Sequence, residues 1–283
     1  MKIIVSGGDS FTYGAELPDD THGPSSFSWA NLVSKKFGDD IKHINTAASG
    51  RSNAFITRRV LSNVIHNLKF NKIDPKDIFV QIMWTFVSRR EFKLVHGTLW
   101  DNPLYKIDSE WLAVDPYIME DESKSDWFKK VKPTATNYEG VKKSLSNKYK
   151  LYKDAGIVDF GKAWYSIISD EDNIYNNLKD IILLQEFFKN NNIKYLFTYV
   201  GHHTPSQLFH QQYEHNPYIT YFRESIDKDT WFKFPGDWDV CDDYLGFNDW
   251  ALINNYEFAT SHPLEKAHED AAELIYEHIK KIL

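Results

Sequence analysis

Ser10 stands in the stretch VSGGDSFTYG, residues 5–14, behind a short apolar run and two adjacent glycines. Glycine pairs relieve steric limits where a backbone must turn sharply or come close to another group. A serine at the mouth of such a turn is placed to act as a nucleophile, provided that a base takes its proton. The chain has eleven histidines. His262 is the best placed of them, because Pro263 follows it where a closing helix is expected to begin. Proline at a first helical position would make that turn rigid and hold the imidazole on it. Such a pair would run acyl transfer, with the serine attacking and the histidine moving the proton. His202, His203, His210 and His215 match no compact zinc signature, so no metal is expected.

The elements that must carry these residues follow from periodicity. KIIVS (2–6) reads as a buried strand, IKHINTAA (41–48) as a second, DIFVQIMW (77–84) as a third and IKYLFTYV (193–200) as a fourth. Between them, residues 25–38, 52–68 and 171–190 show helical spacing, with Ser28 available as an N-cap and Gly38 as a stop for the first. Residues 263–283 read as an amphipathic closing helix. Alternating strands and helices imply parallel pairing with both sheet faces covered. Ligands of such sheets bind at the carboxyl ends of the strands. The chemically dense clusters fall there: Gly8-Asp9-Ser10, ASGRSN (48–53), WTFVSRRE (84–91) and GHH (201–203), joined by SHPLEKAH (261–268) before the last helix. Residues 90–165 and 202–258 break the rhythm and read as two long, aromatic inserts in a single domain spanning 1–283.

Composition narrows the function. Apolar residues make up 42% and charged residues 26%, as in globular proteins, over a length of 283 that suffices for a real core. A formal net charge of −7 speaks against a nucleic-acid partner, since phosphate binding needs a concentrated basic surface. The lysine-rich stretches at 129–132 and 142–150 sit among acids and read as solvated faces. One cysteine, Cys241, excludes an intrachain disulfide and fits a reducing compartment. No apolar run is long enough for a signal peptide or a membrane span, so the expected location is the cytoplasm.

GGDSFTYG resembles the first sequence block of the SGNH (GDSL) hydrolase superfamily, with Ser10 at the nucleophile position. ASGRSN resembles the second block, with Gly50 as the oxyanion glycine, and SHPLEKAHEDAAELI resembles the fifth, with His262 as the base. The blocks come in the family's order from one end of the chain to the other. The aromatic insert and the WT…RRE stretch are also loosely similar to members found in tailed phages. The resemblance implies a three-layer α/β/α sandwich, flavodoxin-like, and ester hydrolysis without a cofactor.

Two positions depart from the family pattern. Where the third block carries Gly-x-Asn-Asp, this chain reads Ile82-Met83-Trp84-Thr85. Where the fifth block has an aspartate shortly before its histidine, this chain has Ala259 and Thr260. The expected reading is a serine esterase in which the Ser10 and Gly50 N–H groups hold the oxyanion, with Asn53, Trp84 or Arg89 as a further donor or substrate contact. Trp84 has two readings, a packed ring or an indole N–H aimed at the oxyanion. Asp249, Glu257 or a backbone carbonyl is expected to hold His262 in place of the missing acid. The inserts are expected to cap Ser10 or to form an oligomer contact, and the substrate to be a small or carbohydrate-linked acyl ester. The alternative is a binding or structural module that kept the scaffold and lost the activity.

Overall fold

The structure, a computed structural model, describes residues 1–21, 23–93, 111–114, 138–209, 213–236 and 245–283. Much of the first insert, His210 and Cys241 lie outside the described residues. All four expected strands form: β1 (Ile3–Gly7), β2 (Lys42–Asn45), β3 (Ile78–Trp84) and β6 (Lys194–Tyr199). They make one parallel sheet in the order β2-β1-β3-β6. Beyond β6, Trp231 pairs in parallel with Phe197, and the Phe232 N–H donates to the Phe197 carbonyl at 2.7 Å. The first insert contributes an antiparallel pair, β4 (Arg90–Lys93) with β5 (Trp111–Val114).

Strand side chains alternate between two cores, as a sheet covered on both faces requires. Ile3, Val5, Ile78, Val80, Ile82, Trp84, Tyr195, Phe197 and Tyr199 face one core. Ile4, Phe79, Met83, Leu196 and Val200 face the other. The first core is roofed by α3 (Asn53–Lys69), which follows α1 (Ser10–Tyr13) and α2 (Trp29–Lys36), and by α6 (Asp170–Asn190), which follows α4 (Tyr138–Asp154) and α5 (Ile157–Ile167). The second is roofed by α2 and by α10 (Glu265–Ile282), preceded by α7 (His203–Phe209), α8 (Pro217–Ser225) and α9 (Phe247–Ile253). The mixed α/β sandwich expected from the sequence is therefore present.

The described part of the second insert is packed into the sandwich. Many of its described aromatic and aliphatic side chains join the cores: Leu208, Ile219, Ile226 and Trp231 one, Phe232, Phe234, Leu245, Phe247 and Trp250 the other. Burial of those rings completes the layers, so the described part of this insert extends the sandwich. The start of the closing helix also shifts. Pro263 lies before the helix, in a turn closed by Ala259 N–H to His262 carbonyl (3.0 Å) and Leu264 N–H to Glu257 carbonyl (2.9 Å). No described helix is long and apolar enough to cross a membrane.

Where α9 meets the end of β6, two backbones nearly touch. A Cβ on Gly246 would sit 2.4 Å from the Gly201 nitrogen. Both partners at that contact are main chain and cannot swing aside. Gly246→Ala is thus expected to destabilise the fold by about 1–3 kcal/mol, as overpacking does. Gly23→Ala, with open space around the added carbon, serves as the control in thermal or urea unfolding.

Candidate active site

Ser10 begins the four-residue helix α1 directly after β1. Gly8 is required here, since a Cβ would fall 2.0 Å from the Thr12 hydroxyl oxygen. Asp9 is the N-cap of the helix: its Oδ1 accepts from the Phe11 N–H at 3.1 Å. The same carboxylate is wholly buried, and its Oδ2 accepts from the Thr85 hydroxyl and from Arg89 Nη1 at 2.8 Å. The turn carrying Ser10 is thereby tied to the turn after β3. Among the described residues the N–H groups of Ser10 and Gly50 have no hydrogen-bond partner. Gly50 lies in the exposed turn after β2 with φ 70°.

His262 comes from the other end of the chain and reaches the same rim. Its ring lies 4.6 Å, centroid to centroid, from that of Phe11, the neighbour of Ser10. The Ser10 hydroxyl and the imidazole are not hydrogen-bonded to each other in this state. Such bonds often tighten only when substrate arrives. His262 is held instead by Glu16, six residues after Ser10. Glu16 Oε2 lies 3.1 Å from His262 Nδ1 and accepts the N–H groups of Thr260 (3.0 Å), Ser261 (3.0 Å) and His262 (3.1 Å). Burial raises the Glu16 carboxyl, but the hydrogen bond and charge of His262 and the backbone N–H groups outweigh it and hold it below the usual carboxylate range.

The acids expected to hold His262 do other work. Asp249 is buried and pairs with His202, Oδ1 to Nδ1 at 2.8 Å, while its other oxygen takes the His202 N–H. Glu257 is exposed, and its main chain, not its carboxylate, braces the turn. Glu16 escaped sequence reasoning because nothing in the spacing of residues 10–16 announces a partner 246 positions away. Its φ of 69°, rare for a non-glycine residue, is visible only in the fold.

The three expected donors also separate. Trp84 has no exposure, its ring packs edge-on against Phe197 at 5.4 Å, and its indole N–H is buried without a partner. It points into the α3–α6 core by strand alternation and is a packing residue, not a donor to substrate. Asn53 is equally buried, with Oδ1 accepting the Thr85 N–H (2.8 Å) and Nδ2 donating to the Thr85 carbonyl (3.0 Å) and to Asn177. It fixes the turn after β3 and is not open to a ligand. Arg89 lies beside Asp9 with its side chain 15% exposed, its charge answered by that carboxylate.

His203 stacks on His202 at 3.8 Å between ring centroids, and His215 is exposed near Glu171. A groove of about 440 Å³ lined by Ser169, Glu171, Asp172, Tyr175, Asn216 and Tyr218 contains none of Ser10, Gly50, Glu16 or His262.

Behind His262, the buried His268 accepts the Trp29 N–H at its Nδ1 (3.1 Å). This bond does the capping expected of Ser28, whose hydroxyl makes none. Burial pushes His268 down to about 3, and His43, buried beside Ser6, down to about 4. The unfolded chain binds protons at both near 6.5 while the folded one does not, so stability is full above that pH and falls as pH drops toward 4 and then 3. Thermal melts between pH 7.5 and 4 are expected to show this loss. His268→Gln, which keeps an acceptor for Trp29, should flatten its share.

No protein-family model matches the chain, and no curated protein matches it in sequence. Among solved structures it is similar to the psychrotrophic esterase EstA from Pseudoalteromonas sp., inhibited there by monoethylphosphonate, at 14% identity and a TM-score of 0.42 over 100% of this chain and 98% of that one. It is similar also to the acetyl xylan esterase AlAXEase, at 12% identity and a TM-score of 0.39 over 98% and 99%. A third is a protein from Desulfitobacterium hafniense DCB-2 assigned to the G-D-S-L lipolytic family, at 12% identity and a TM-score of 0.30 over 98% and 99%. At such identities and scores, any function must be read from this chain's own residues.

Proposed function

We propose that the protein is a serine esterase of the SGNH type, with Ser10 as nucleophile and His262 as general base. The observation that carries this reading is the convergence of the two turns: Glu16, in the loop leaving α1, grips the turn of His262 through three backbone N–H groups and the imidazole. In the reaction, the Ser10 hydroxyl oxygen bonds to the acyl carbon while its proton passes to His262. The carbonyl electron pair moves onto oxygen, where the open N–H groups of Ser10 and Gly50 receive it. Collapse of this intermediate breaks the ester C–O bond, and His262 returns the proton to the leaving alcohol. Water repeats the sequence on the acyl-enzyme and restores Ser10.

With Trp84 buried and Asn53 occupied, the hole has two backbone donors. A missing donor costs about 100- to 1,000-fold in turnover. The reading is therefore of a slow enzyme acting best on activated esters, its acyl group small or carried on a carbohydrate. It works in the cytoplasm, in keeping with the single cysteine, and needs neither cofactor nor nucleic acid. Self-association through the inserts belongs to the same proposal, while the looser likeness to tailed-phage members draws no support from the similar structures.

A second reading is favoured by one feature: Ser10 and His262 are not hydrogen-bonded, and Ser10 is only 6% exposed. On that reading the scaffold binds without reacting. The two are separated by a fluorophosphonate probe followed by peptide mass analysis. The esterase reading expects labelling at Ser10, hydrolysis of a p-nitrophenyl acetate-type ester, and loss of both in Ser10→Ala with an unchanged melting temperature. An unlabelled, folded wild type supports the binding module.

A further inference from the structure

We propose that Glu16 is the positioning residue of His262, supplying from just beyond the nucleophile the carboxylate that the segment before the histidine lacks; this rests on the Ser10–His262 reading above. An ionised carboxylate can only accept hydrogen bonds. Its 3.1 Å approach to Nδ1, a close charge contact rather than an aligned hydrogen bond, is therefore favourable only if Nδ1 carries the proton. That leaves the lone pair on Nε2, the ring atom free to take a proton from a serine. The Ser261 hydroxyl, 3.0 Å from the same Nδ1, has two roles open to it, since a hydroxyl can donate as well as accept. Glu16 decides between them by admitting one tautomer.

The oxygen that does this is itself immobilised. Oε2 takes three consecutive backbone N–H groups in addition to the ring, a concave nest of donors suited to an anion. On its own side, Glu16 is fixed at φ 69°, and its N–H donates to Asp20 Oδ2 at 2.7 Å. Strained residues persist only where their surroundings hold them, and they gather at working sites. The other charged or titratable groups around His262 do not compete. Asp249 is paired with His202, Glu257 is exposed, and His268 is buried in its neutral form. During acyl transfer Glu16 gains no proton. It keeps Nδ1–H in place while Nε2 accepts the Ser10 proton, and it faces the imidazolium so formed.

Two measurements test this. In the wild type, ¹⁵N imidazole shifts and long-range ¹H–¹⁵N couplings should show neutral His262 as the Nδ1–H tautomer; the Nε2–H tautomer would overturn the proposal, without any variant. The second is the rate of Ser10 phosphonylation by a fluorophosphonate as a function of pH in wild type, Glu16→Gln and Glu16→Asp. Glutamine keeps an oxygen for the three N–H groups but not the charge. Glu16→Gln should thus fold, change the tautomer balance of His262, and react about 10²- to 10⁴-fold more slowly, with Glu16→Asp recovering part of the loss. A Glu16→Gln protein that reacts at the wild-type rate with the tautomer unmoved also overturns it. Should Glu16→Gln not fold, the wild-type tautomer decides. A wild type with the Nδ1–H tautomer but no phosphonylation would leave Glu16 positioning His262 while removing the esterase reading.

Discussion

A carboxylate shut away from water must be met by donors, or its burial costs several kcal/mol. Asp9 is such a group, and the geometry around Ser10 follows from satisfying it. Its donors come from three places: the helix that Ser10 begins, the turn after β3, and Arg89 beyond that turn. Each of these is located by the others. Moving α1 would strip the cap from its first turn, and moving Thr85 or Arg89 would leave a buried charge short of partners. The precision of Ser10's position is thus an electrostatic matter before it is a packing one.

The rim is stitched in the same manner farther along. The Thr85 carbonyl accepts both the Asn53 amide and the Thr204 hydroxyl, so one backbone oxygen links α3, β3 and α7. Asn177 on α6 joins from beneath, donating to the Val87 carbonyl at 2.9 Å. The irregular segments at the strand ends cannot pair in the ladder, and buried main-chain groups there need partners of another kind. Asparagine and threonine side chains provide them. This is why Asn53, which looks on paper like a ligand-binding residue, is fully occupied within the fold.

Much of the architecture was legible because it rests on short-range pattern. The four parallel strands are β-branched and aromatic runs bounded by glycine, proline and polar turns, and the helices between them carry clean apolar stripes. Ser10 and His262 stand out in the sequence through their local settings, and the fold brings the His262 ring to Phe11, the neighbour of Ser10. The partners of His262 were not legible, because a side chain's neighbour across the fold leaves no mark in spacing. Asp249 was a reasonable choice by nearness in sequence, yet its position on α9 gives it to His202. Trp84 had two readings, a packed ring or a donor, and alternation along β3 turns it into the core with Ile82 and Val80.

The grip of Glu16 on the turn at 260–262 joins residues separated by as many as 246 positions. Contacts of that span carry a large loop-closure cost, which the rest of the fold must offset before they close. The turn at 260–262 is thereby fastened to the loop that leaves α1, and the two segments share one anchor. The same arrangement ties α10 to the rim: fraying of that helix, however slight its cost to the sheet, would loosen His262 from the loop that leaves α1 first.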